Sequence, residues 1–445
     1  MSQLLPESPT KSDAAPAPAG AKRAHWRDFP GWRMVLVAFF VDFVAVGFFF
    51  YSYGVFFKAM AEEFGGSRME VGLGLTVTQS VGALLAPLIG RALDRFPLRL
   101  IIGTGAVFMG VGFLALSQVQ NQWQFYLVLA IFIGFGAGAM GGLATAKLIA
   151  NWFDRRRGTA LGIAATGISL SGVFMPFITA ALIETWGWRQ GFIFYGVFTA
   201  CIVVPVVLKF VISKPEDIGL LPDGALPRPA LDASITTAPA EAGPILKSRD
   251  YWILSLGLAL LFCCMSATLT HMVPRLTDAG YSLKQASLMM SLCAGFGVLG
   301  KLALGWLADR WSGRKAFWLA ALSQALGQVG MFQPQSPLLF GLGAAAFGFG
   351  MGGVVPLQGA LVGRLFGRER FGRVLGLMRP TMLPIQIVGV PLAGWVFDQY
   401  GTYDPAFQAT FVLYALAAMA VYPLRAGRQS IAPKAPDPHP DRPAA

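Results

Sequence analysis

Long apolar stretches alternate with short polar ones along nearly the whole chain. Twelve of them approach the roughly 20 residues a helix needs to cross the hydrocarbon of a bilayer. They fall at about residues 33–57, 70–92, 99–118, 123–150, 158–183, 189–212, 251–273, 285–307, 315–333, 338–363, 372–397 and 405–424, spans one to twelve below. The longest polar interruption, residues 213–249, separates six from six. Charged hairpins break the pattern at the same place in both sets: GRALDRFPLR begins at Gly90, and GWLADRWSGRK repeats its Gly90, Asp94 and Arg95 as Gly305, Asp309 and Arg310, 215 residues on. The repeat extends to GTALGI at Gly158 and GRVLGL at Gly372, to Pro176 and Pro391, and to the small-residue runs GAGAMGG (136–142) and GFGMGG (348–353), which let helices approach closely. The pattern predicts an all-α membrane protein of twelve transmembrane helices in two pseudo-symmetric six-helix bundles. Residues 31–212 and 250–425 form the bundles, 213–249 a linker, and 1–30 and 426–445 disordered tails rich in Ala and Pro.

Composition agrees: 55% of residues are hydrophobic and 13% charged, with mean hydropathy +0.58, outside the range of soluble domains. The net charge of +12 does not point to nucleic acid, because the cations lie between apolar spans. If both tails are inside, the inside loops carry thirteen Lys and Arg against five outside, which predicts cytoplasmic termini and a cytoplasmic linker in a bacterial inner membrane. Residues 1–30 lack the apolar core and cleavage site of a secretory signal. Cys201, Cys263, Cys264 and Cys293 all sit inside apolar stretches and read as packing residues with no metal or redox spacing. No nucleophile, metal or phosphate-cradling motif stands out, so no catalytic residue, enzyme activity or cofactor is expected.

An ion inside a bilayer is costly, about 2.5–3.5 kcal/mol on insertion scales, so each one is a site candidate. Lys301, in GVLGKLALGW of span eight, lies about 10 Å from the helix end at 1.5 Å per residue. Arg379, in GLMRPTMLP of span eleven, is at similar depth, with Pro380 and Pro384 loosening the helix beside it. Either cation could snorkel to the interface; together they are better explained by a bound anion. Asp42 in span one could pair with one of them or take up a proton, and helical spacing puts Val46, Phe49 and Tyr53 on its face. Lys147, four residues from the end of span four, reads as a snorkelling lysine. His271, at the outer end of span seven, reads as a satisfied structural histidine, with a proton relay as the sharper alternative.

The G-x-x-x-D-R-x-x-x-R/K loops resemble the signature of the major facilitator superfamily of secondary transporters. NWFDRRRGTALGIAATG (Asn151 to Gly167) is similar to the motif entering span five of monocarboxylate transporters and of the oxalate/formate exchanger family. GWRMV at Gly31, GWRQGF after span five and THMVPRLTDAGYSLKQAS after span seven resemble the same families over about residues 30–425. The resemblance implies the major facilitator fold and a span-eight cation that binds the substrate carboxylate. Lys301 stands at that position, where most relatives carry Arg. It implies a second span-eleven cation matched by Arg379. It makes Asp94, Arg95, Asp309 and Arg310 gating elements. The span-eight Asp of the monocarboxylate transporters is Gly297 here, which leaves Asp42 as the replacement candidate.

The sequence thus predicts a secondary transporter for a small mono- or dicarboxylate, working by alternating access as a proton symporter or an anion exchanger. Its partners would be that substrate and the lipid bilayer, with protons in the first case. Efflux of amphipathic drugs or metabolites is the alternative suggested by the many Phe and Met residues. A transporter-like membrane sensor is the alternative of another class.

Overall fold

The computed structural model describes residues 29–53, 56, 63, 68–224, 245–281 and 283–424. The C-terminal tail, residues 1–28, residues 225–244 of the linker and Lys58 lie outside them. Phe29, at the inner end of the expected tail, is buried against the Trp152 and Phe153 rings.

In their described residues all twelve stretches are helical. Span one runs Gly31–Val46 and continues as a π-helical turn, Gly47–Tyr51. Spans two and three are Arg68–Arg95 and Leu98–Leu116. Span four is Gln122–Val128, a π turn at Leu129–Gly134, Phe135–Met140 and Gly142–Trp152. Span five is Arg157–Trp186, and span six runs from Trp188 to Phe210 through a third π turn. Spans seven to twelve are Arg249–Asp278, Leu283–Arg310, Gly313–Met331, Pro337–Phe366, Phe371–Tyr400 and Asp404–Val421. Span eleven stays helical through Pro380 and Pro384.

Ten of these helices are long and apolar enough to cross a membrane, and the chain is a multi-pass membrane protein. Spans two and nine fall short of that apolarity. Span nine buries Gln324 and Gln328 completely, and Gln328 bonds Thr268 of span seven at 3.2 Å. Span two carries the signature charges.

Helix ends follow local chemistry. Side-chain oxygens of Asn121, Ser312 and Ser336 accept from backbone N–H groups three residues on. Gly187 and Gly401, at φ 83° and 68°, make the turns that close spans five and eleven.

Span one departs from simple helical spacing. Asp42 and Val46 share a wall, but Phe49 and Tyr53 line a separate aromatic pocket with Phe56, Phe113 and Phe125. The π turn between them bonds i to i+5, which adds a residue to the turn and rotates everything beyond Gly47 off the Asp42 face.

The first and last six spans meet chiefly where span two packs on span eleven and span five on span eight. These seams are closest near the signature loops, and there glycine is required by contact. A Cβ on Gly90 would collide with the Gly372 carbonyl, and one on Gly158 with the Gly305 carbonyl.

Candidate binding cavity and its gate

Between the two halves lies a cavity of about 160 Å³. Spans one, four and five of the first half and ten and eleven of the second wall it. Its walls are mostly small or aliphatic, and its polar groups are Asp42, Thr145, Gln358 and Arg379. Asp42 is eleven residues into span one, about 17 Å along the axis, and Arg379 about 12 Å into span eleven.

The two charges are held differently. Asp42 is buried, and its carboxylate accepts from Thr145 Oγ1 at 2.9 and 3.1 Å. Arg379 is exposed to the cavity, with no hydrogen bond or ion pair to any described residue. Lys301 does not line this space. It is 7% exposed, and its Nζ donates to Ser169 Oγ on span five, one residue beyond cavity-lining Ile168. The structure therefore brings Asp42 and Arg379 to one cavity and sets Lys301 behind its wall.

Toward the signature loops the cavity is closed by two matching clamps. Asp309, at the end of span eight, accepts from the Gly158 and Thr159 N–H groups and from Thr159 Oγ1, all at 2.7 Å, at the start of span five. Asp94, at the end of span two, accepts from the N–H groups of Gly372 (3.1 Å) and Arg373 (2.8 Å) at the start of span eleven. Each carboxylate thus sits on the N-terminus of a helix in the other half, where unpaired amides and the helix dipole favour negative charge. The donors to both carboxylates are therefore backbone N–H groups of helix starts. Arg95 and Arg310 point outward, exposed, with the Arg310 guanidinium 4.5 Å over the Trp306 ring.

Sequence reasoning missed part of this gate. Lys147 does not reach for the interface: it is buried, ion-paired with Asp94 at 2.8 Å, and donates to the Arg368 carbonyl of the other half. An acidic partner one helix away was not visible from its position in span four. The linker also takes part, Glu216 pairing with Arg368 at 2.5 Å and Asp223 capping the amides of Asp154 and Arg155. His271 bonds the Val390 carbonyl at 3.0 Å and packs on Tyr403, joining spans seven and eleven away from the cavity. On the face opposite the signature loops, Glu63 binds Arg189 at 2.5 Å, and that hydrogen bond holds its carboxyl below the usual range.

Known proteins share this architecture. Human monocarboxylate transporter 11 is 27% identical over 414 residues, covering 90% of this chain and 83% of its own. Monocarboxylate transporter 13 of Bos taurus is 26% identical over 386 residues, 85% of each chain. Among solved structures, the human organic anion transporter MFSD10 superposes with a TM-score of 0.65 at 17% identity, over 88% of this chain and 99% of that one, a likeness of fold. The profile of the Major Facilitator Superfamily matches residues 34–385 and 304–444, and with the paired helix-start clamps and the cavity between six-span halves, the chain belongs to that superfamily of membrane transporters.

Proposed function

We propose that the chain carries a small organic anion, a mono- or dicarboxylate, across the membrane by alternating access. The observation that carries the proposal is Arg379: a guanidinium at mid-membrane depth, open to a cavity that the clamps close toward the signature loops, and without a hydrogen-bond or ion-pair partner among the described residues. Such a charge is expensive unless something neutralises it, and a carboxylate fits its planar fork of donors. Lys301, behind Ser169, adds positive potential from the wall. With Asp42 ionised, the three groups sum to one positive charge, which a monoanion cancels. With Asp42 protonated the sum is two, which suits a dicarboxylate or a proton-coupled cycle. Size supports the same class: on the scale by which a cavity of roughly 150 Å³ admits benzene, 160 Å³ accepts a molecule of about six carbons. Amphipathic cargo is less well served, since the aromatic cluster of Phe49, Phe113 and Phe125 packs on itself around a void of only about 10 Å³.

The two six-span bundles, 31–212 and 250–425, rock about the cavity, and the clamps at Asp94 and Asp309 hold one end state. Charge bias puts both termini and that gate on the cytoplasmic side of a bacterial inner membrane. The relatives' names, monocarboxylate and organic anion transporter, are in keeping with this cargo. The test is a thermal-shift screen of purified protein against linear mono- and dicarboxylates of one to eight carbons, repeated with Arg379→Ala and Lys301→Ala. Stabilisation by a short acid that is lost in Arg379→Ala supports the assignment. Stabilisation that survives both substitutions refutes it.

A further inference from the structure

A second and larger cavity, about 470 Å³, lies outside the central one, in the lateral wall where spans seven, eleven and twelve meet. It starts at Arg249, the first residue of span seven, and runs past Ser255 to Ala259, about 15 Å along the helix. That is one leaflet's depth of a hydrocarbon core roughly 30 Å thick. From the other side it is lined by Thr381 and Ile385 of span eleven and by Met419 and Pro423 at the end of span twelve.

The chemistry changes along its length. Arg249 stands exposed at the mouth, on the signature-loop side. Arg314 flanks it, bonding the carbonyl of Tyr422, the residue before Pro423, at 2.8 Å. Trp252, one turn in, ties its indole N–H to the Leu246 carbonyl at 2.7 Å, as an interfacial anchor does. Asp250 does not line the groove and lies in the first turn of span seven, where the helix dipole offsets its charge. Six residues inward Ser255, 2% exposed, lines the groove beside Tyr251 and Thr381, which bond each other at 2.7 Å. Beyond Ser255 the walls are Leu256, Ala259 and Ile385.

We infer that this groove is a binding site for one phospholipid with an anionic headgroup, drawn from the leaflet on the signature-loop side. The phosphate lies at Arg249, the glycerol-ester region offers an acceptor to Ser255 Oγ, and one acyl chain fills the apolar depth. Basic pockets between membrane helices select anionic headgroups by the same charge complementarity. On the benzene scale, 470 Å³ takes about eighteen carbons, the size of a single acyl chain.

Native mass spectrometry of the detergent-purified protein, titrated with phosphatidylglycerol and with phosphatidylcholine of the same chains, tests this. The expected result is at least a fivefold preference for phosphatidylglycerol at the tightest site. Arg249→Gln should bring the two lipids to parity, and Met419→Trp, at an exposed rim position, should weaken both. Lys209→Gln, an exposed cation on span six, should change neither. The inference is overturned if the wild type shows no preference or if the preference survives Arg249→Gln. Glycerol 3-phosphate binding as tightly as the lipid overturns it in favour of a free-phosphate site. Displacement of the lipid by short carboxylates overturns it in favour of a side entrance to the central cavity.

Discussion

Removing one charge from the gate should shift the transporter away from the conformer described here. In Asp309→Asn, the amide keeps one acceptor oxygen but turns an N–H₂ toward donors that the carboxylate now satisfies: the N–H groups of Gly158 and Thr159, and Thr159 Oγ1. At least one N–H group on the start of span five then loses its partner. A hydrogen bond to a charged group is worth about 1.5–3 kcal/mol, and a charge at a helix N-terminus about 0.3–1 kcal/mol. Because donors and acceptor belong to different halves, these bonds exist only while the halves are closed. A loss of about 3 kcal/mol moves the closed-to-open ratio by about 150-fold, at 1.4 kcal/mol per factor of ten. Spin labels at exposed Arg155 and Lys315, one on each half, report the separation by double electron–electron resonance. The parent should show one short distance, and Asp309→Asn a second, longer population. Adding Asp94→Asn, which weakens the matching clamp on span eleven, should make the longer distance dominant. If both variants keep the parent distribution, the clamps do not hold this state and the reasoning is wrong.

Arg379→Gln should weaken carboxylate binding by 10- to 150-fold, the ~1.5–3 kcal/mol of a charge-assisted bond, read by calorimetry; Arg379→Lys should recover only part, because lysine lacks the bidentate fork. Gly158→Ala places a methyl against the Gly305 carbonyl and should lower the population of the closed gate in the same spin-label assay, while Ala at exposed Gly295, a helical position with open space around it, should leave the distances unchanged. Thr145→Val strips Asp42 of its hydrogen bond and should cost about 1–3 kcal/mol of stability, seen as a lower melting temperature that Thr145→Ser restores. Glu63, whose carboxyl Arg189 holds below its usual 4.5, contributes stability that is present above that value and lost as pH falls through the lower folded value; the melting difference between wild type and Glu63→Gln should therefore be present at pH 7 and vanish in strong acid.

The spans and their twofold repeat were legible because membrane helices must be apolar over a fixed length, and because Asp94 and Asp309 interrupt that apolarity at one offset. That those carboxylates could take an Arg side chain or a helix N-terminus was legible; which of the two, and which helix, was not. Their partners are backbone amides of Gly372, Arg373, Gly158 and Thr159, which carry no side-chain signature. Spacing along span one grouped Phe49 with Asp42 until the π turn at Gly47 changed the period, and no residue in GFFFY announces that turn. Depth alone made Lys301 and Arg379 alike. Rotation about their helix axes separates them, one meeting Ser169 and the other open space, and rotation is set by packing against neighbouring helices.

The cavity and the gate share span eleven, and this gives the proposed cycle a physical link. Arg379 lies six residues beyond Arg373, about 9 Å along span eleven, and the amide of Arg373 is held by Asp94. Lys147 sits on the same Asp94, and its own helix presents Thr145 to Asp42 across the cavity. A ligand that draws Arg379 toward Asp42 therefore pulls on two helices whose ends meet at a single carboxylate. It can reset the gate only by as much as its affinity differs between the two states. Arg379 and Asp94 should then be coupled: in a double-mutant cycle, the effect of Asp94→Asn on anion affinity should shrink when Arg379 is already Gln. Independent, additive effects would separate the cavity from the gate and leave span eleven without that role.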